Sequence, residues 1–172
     1  MAIRVCRGVA RRQAVERRAG TRGPYERPRL SKDYLRANSD HVYDVDKDGW
    51  PDVIAGGWTE DGIWWFKNPG KSAAERGAPW DMHLPWQARL LARTRGTMEM
   101  FALHDYDRDG IPELHSANYR KDLPLEVWRW TTHADGSPAL SPFVLGAEGG
   151  GHGFAFGDVN GDGREDVLTE IG

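Results

Sequence analysis

Three short stretches of this chain crowd carboxylates closely enough to hold a metal ion. They are Asp44-Val45-Asp46-Lys47-Asp48-Gly49-Trp50-Pro51-Asp52, Asp105-Tyr106-Asp107-Arg108-Asp109-Gly110-Ile111-Pro112-Glu113 and Asp158-Val159-Asn160-Gly161-Asp162-Gly163-Arg164-Glu165-Asp166. Oxygen-bearing side chains stand at positions 1, 3, 5 and 9 of each stretch, and a glycine stands at position 6. Acids packed at alternate positions repel one another unless a cation lies among them. Hard oxygen ligands on a flexible loop suit Ca²⁺ better than the smaller Mg²⁺, which demands stricter geometry. The loops hold neither histidine nor cysteine, which argues against zinc.

The same register assigns a ligand set to each loop. Asp44, Asp46, Asp48 and Asp52 donate side-chain oxygens in the first, with the Trp50 carbonyl. Asp105, Asp107, Asp109 and Glu113 do so in the second, with the Ile111 carbonyl. Asp158, Asn160, Asp162 and Asp166 do so in the third, with the Arg164 carbonyl. Up to three calcium ions are therefore expected. The glycine at position 6 (Gly49, Gly110, Gly163) allows a positive φ. An EF-hand would need an acid at position 12 and flanking helices. Ala55, Ser116 and Thr169 stand there instead. The competing reading, acidic turns with no ion, fits one such loop better than three in one register.

The loops begin at residues 44, 105 and 158, so the chain is built from repeats. Each loop leads into an apolar run, and the first two are followed by a second run: Ile63-Trp64-Trp65-Phe66 and Leu125-Glu126-Val127-Trp128-Arg129-Trp130. The latter alternates apolar and polar residues, the period of a half-buried strand. Short apolar runs with 21 glycines and 8 tryptophans point to an all-β protein. Residues 88–91 stay open between strand and helix, residues 71–80 between a helical turn and a loop, and residues 82–86 read as extended.

Residues 1–29 hold nine arginines against two acids, a local charge of +7; with −3 for the whole chain, the remainder carries −10. This stretch reads as a basic, disordered extension. Nucleic acid is an unfavoured partner, because the acidic body repels phosphate. Arg11-Arg12 lacks the apolar segment of an export signal, and no signal peptide is visible. No apolar run is long enough to span a membrane. The single cysteine, Cys6, excludes an intrachain disulfide.

Phe156-Gly157-Asp158-Val159-Asn160-Gly161-Asp162-Gly163 resembles the FG-GAP/VCBS repeats of integrin-α-like propellers and many exported bacterial proteins. Tyr43-Asp44 and His104-Asp105 depart from Phe-Gly before their loops. The resemblance covers roughly residues 38–172. It implies β-propeller blades of four antiparallel strands, with units at about 30–93, 94–146 and a truncated 147–172. Two and a half blades are fewer than a closed propeller holds, so the chain reads as an incomplete propeller and a fragment of a larger protein. The resemblance also implies an extracellular or periplasmic setting.

The expected function is a calcium-binding scaffold for carbohydrate or protein ligands. The alternative is part of a propeller-based carbohydrate-active enzyme, of polysaccharide lyase or sugar dehydratase type. No Ser-His-Asp order, H-E-x-x-H or phosphate loop appears, so no catalytic residue is assigned. His104, His115, His152, Glu99 and Glu126 are the acid/base groups outside the loops that such an enzyme would draw on. His152, on a glycine-flanked stretch expected to be an innermost strand, and Trp64 and Trp128 are the candidate ligand-binding residues, although the tryptophans read first as packing between blades.

Overall fold

A computed structural model describes residues 37–57, 61–70, 86–118, 120, 122–148 and 151–169. The basic lead-in 1–29 and the connection 71–85 lie outside them.

The described residues are all-β. Ten strands form three antiparallel sheets. The first sheet comprises β1 (Ala37–Tyr43), β2 (Asp52–Gly57), β3 (Ile63–Lys67) and β4 (Gln87–Ala92), paired in chain order. The second comprises β5 (Met98–His104), β6 (Glu113–Asn118), β7 (Leu125–Thr132) and β8 (Pro138–Gly146), also in chain order. β9 (Phe154–Gly157) and β10 (Asp166–Thr169) form a two-stranded third sheet. The two complete sheets are four-stranded blades, and residues 88–91 resolve as strand within β4.

Each carboxylate loop joins the first two strands of its sheet. The residue before the loop pairs with position 9: Tyr43 with Asp52, His104 with Glu113 and Gly157 with Asp166. Position 9 is thus the first residue of the second strand, and the eight residues before it are the hairpin connection.

β2 and β6 are buried along their whole length, since both faces of these strands are covered. The main core lies between the two blades. Ile54, Ile63, Trp65 and Leu91 of the first meet Met98, Phe101, Leu114, Trp128 and Leu140 of the second. A fully buried Phe or Leu here stabilises the fold by roughly 1.5–3 kcal/mol. Val53, Ala55 and Phe66 face the opposite side of the first blade with Trp64 and Trp86. This alternation is the period-two pattern of a strand. Gly56 is required by close approach, because a Cβ there would meet Met98 Cε at 2.6 Å and Phe101 Cε1 at 2.9 Å.

The innermost strands β1 and β5 are tied by polar bonds. Ser39 Oγ donates to the Phe101 carbonyl at 3.0 Å, His41 Nε2 lies 2.6 Å from the same oxygen, and Asn38 Nδ2 donates to the Glu99 carbonyl at 2.8 Å. Tyr43 stacks on Trp130 across the blades.

His152 does not lie on an innermost strand. It sits in the bend before β9. The glycine run turns there: Gly151 has a φ of 131° and donates its N–H to the Asn118 carbonyl at 2.8 Å, which anchors the bend to the end of β6.

Candidate metal centres

The three loops share one frame of four bonds. The N–H of position 5 donates to Oδ1 of position 1: Asp48 to Asp44 at 3.1 Å, Asp109 to Asp105 at 3.0 Å and Asp162 to Asp158 at 3.0 Å. The glycine N–H of position 6 donates to Oδ2 of the same aspartate at 2.9, 2.9 and 2.8 Å. The N–H of position 7 donates to Oδ1 of position 5 in Trp50, Ile111 and Arg164. The N–H of position 2 donates to the acid at position 9, Val45 to Asp52 at 3.1 Å, Tyr106 to Glu113 at 3.0 Å and Val159 to Asp166 at 3.0 Å.

Two positions per loop carry the left-handed backbone this wrapping needs. Gly49, Gly110 and Gly163 have φ near 85°, as the sequence suggests. Position 4 does too, with Lys47 and Arg108 at 60° and Gly161 at 77°. Side chains other than glycine resist that region. The glycine at position 4 of the third loop was the available signal for it.

The acids at positions 1, 3 and 5 of the first two loops converge. Asp44, Asp46 and Asp48 each bring a carboxylate oxygen within 4.8 Å of the others, and so do Asp105, Asp107 and Asp109. Both groups could hold a metal ion. Asn160 takes the third position of the third loop, where its Oδ1 accepts the N–H of Asp162 at 2.8 Å.

The ninth residue is bonded from the second strand. Asp52 is fully buried, and its other oxygen accepts the N–H of Asn68 at 2.7 Å. Burial pushes its carboxyl above the usual carboxylate range, while the amides of Asn68 and Val45 pull the other way. A carboxylate has about four lone-pair sites, so an oxygen that accepts an amide can still face an ion.

One atom tests the fit of an ion directly. Asp46 Oδ1 is shielded from solvent and takes no hydrogen bond. A buried carboxylate oxygen without a partner is costly. A divalent ion among Asp44, Asp46 and Asp48 would satisfy it, and its charge would relieve the repulsion between the acids. The donor set fits such an ion.

A feature outside the loops escaped sequence reading. The Lys67 ammonium pairs with Asp46 and with Asp48 Oδ2, the latter at 2.9 Å. Its pKa is lowered, by burial first and then by Arg89, against the pull of Asp44. In the second blade Arg129 stands 3.5 Å from Asp107 Oδ2. Only strand register reveals these neighbours.

Residues 105–169 match the family model of the FG-GAP-like repeat. The FG-GAP-like segment spans the second loop, β6 to β9, the third loop and β10, so both of its loops fall inside the match. Repeats of this kind build propeller-type binding modules, and the blades here have that form. No curated protein and no solved structure matches the chain. Among the described residues, no helix is long and apolar enough to cross a membrane.

The remaining candidates fall in separate places. Trp128 is 2% exposed and donates from Nε1 to Ser116 Oγ at 2.8 Å, so it packs in the core with no face open to a ligand. Trp64 is half-buried on β3. Glu126 is buried and paired with Arg95 Nε at 2.9 Å. His104 stacks on Phe156 and lies 2.8 Å from Glu165 Oε2. His115 is fully buried among His104, Tyr106, Phe154 and Phe156, with neither ring nitrogen hydrogen-bonded. Burial, and then His104, lowers its pKa to about 4, against the pull of Glu165. Besides His104 and His115, whose rings meet edge to face, the structure brings together His152 and Glu99: His152 Nδ1 lies 3.1 Å from Glu99 Oε1. Glu99 is at the start of β5, the end away from the loops.

Proposed function

We propose that this chain is a calcium-binding β-propeller repeat module that serves as a binding or scaffold domain. Asp44, Asp46 and Asp48 with the Trp50 carbonyl, and the corresponding residues of the other two loops, hold the ions. Asp52, Glu113 and Asp166 close each loop from the second strand and add a further side-chain oxygen to each ion. The observation that carries this reading is the wrapping shared by three loops, two of which converge three acids, with Asp46 Oδ1 left without a partner. The ions are structural: they fix the hairpin that sets the first strand of each blade against the second.

The ligand face lies at the opposite end of the blades, where His152 meets Glu99. Carbohydrate and protein are the ligand classes proposed for it, and Trp64 supplies a half-buried aromatic edge nearer the blade surface. Millimolar external calcium matches loops of modest affinity, which supports an extracellular or periplasmic setting.

Thermal melts in excess Ca²⁺ and in EDTA test the proposal. Calcium is expected to raise the melting temperature and EDTA to lower it. A melt that ignores both would remove the calcium reading.

A further inference from the structure

Lys67 and Arg129 occupy one position on two blades. β3 pairs with β2 through Phe66 and Val53, and β7 pairs with β6 through Trp128 and Leu114. Val53 and Leu114 each follow the ninth residue of their loop, and Lys67 and Arg129 follow the two paired aromatics. The register therefore brings a cation on the third strand of each blade over the hairpin to the acid at position 3 of the loop.

The two cations sit at different depths. The Lys67 ammonium lies among the acids of the first loop, bonded to Asp46 and 2.9 Å from Asp48 Oδ2. The Arg129 guanidinium stands off from the second, 3.5 Å from Asp107 Oδ2 and 4.0 Å from Glu113 Oε1. It lies over the Phe143 ring of β8, 5.7 Å from its centroid, which holds it toward the outer strand. Lysine is a compact point charge on a flexible stem, while arginine is a planar fork suited to stacking.

An ammonium bonded to Asp46 and Asp48 puts a like charge beside the space a divalent ion would take. It lowers the repulsion among the acids when no ion is present, and it opposes the ion's entry by like charge. We propose that Lys67 and Arg129 are tethered counter-ions of the first and second loops. They hold the acids together in the ion-free chain, yield when a divalent ion binds, and make the first loop the weaker calcium site of the two. This inference rests on the calcium reading above. Its consequence is a blade that stays folded as calcium falls, with loops that fill at different concentrations.

Calorimetric calcium titration of the full chain, with melts in EDTA, tests it on wild type, Lys67→Met and Lys67→Arg. Lys67→Met keeps the aliphatic stem and removes the charge. It is expected to tighten one site about ten-fold and to lower the ion-free melting temperature. Lys67→Arg keeps the charge but not the compact ammonium; it is expected to keep the wild-type ion-free melting temperature and to bind calcium with an affinity between wild type and Lys67→Met. Lys67→Gln carries the same expectation as Lys67→Met and serves if that variant does not fold. A wild type that binds calcium, with unchanged affinity in the charge-removing variant, overturns the counter-ion role alone. A wild type that binds none overturns the calcium reading and this inference together.

Discussion

Asp52 accepts the backbone N–H of Val45, seven residues earlier, at 3.1 Å. The bond closes the first loop from the strand that follows it. Glu113 with Tyr106 and Asp166 with Val159 repeat it. Because Asp52 is also bonded to the N–H of Asn68 at 2.7 Å, it joins the loop to the end of β3.

Asp52→Asn is therefore expected to destabilise the ion-free chain. An asparagine must turn its NH₂ toward one of the two backbone donors, leaving a buried N–H unpaired at a cost of about 1–3 kcal/mol. Chemical denaturation in EDTA measures this without any contribution from calcium. An unchanged midpoint would contradict the closing role.

Arg108→Gly is expected to stabilise the second loop. Arg108 holds a φ of 60°, where the third loop has Gly161. Relief of the left-handed strain, about 1–2 kcal/mol, is partly offset by the greater freedom of glycine in the unfolded chain. The net gain should be about 0.5–1 kcal/mol, read as a higher denaturation midpoint; a loss would show that the Arg108 side chain contributes more than its backbone costs.

The repeat, its register and its strands are legible in the sequence because the loop residues are local to one another. The four backbone bonds of each loop connect residues at most seven apart, and one loop read correctly gives all three. The roles of Lys67, Arg129 and His115 were not legible, because each depends on which strand lies beside which. His152 was misplaced for a related reason. A glycine run permits a strand near an axis and a bend equally well, and the bond from Gly151 to the Asn118 carbonyl decides between them.

His115 predicts a pH dependence. It stands where the first blade has Ile54, as the residue paired with the third strand just after Leu114 or Val53. Its pKa falls from 6.5 to about 4 on folding. The unfolded chain therefore binds more protons between those values, so stability rises with pH across that window. The contribution is complete above about pH 6.5, is lost as pH falls, and levels off below about pH 4, a total on the order of 3 kcal/mol. Denaturation midpoints in EDTA across pH 4–7 should show a steeper fall for wild type than for His115→Leu. Parallel curves would contradict it.

If each loop holds one calcium ion, as proposed, the stoichiometry of binding shows it. Calorimetric titration or equilibrium dialysis of the full chain should find three ions per chain. The loss of two ligands in Asp107→Ala/Asp109→Ala should leave two. No bound calcium in the wild type, or three ions retained by that variant at the same affinities, would rule out one calcium ion per loop.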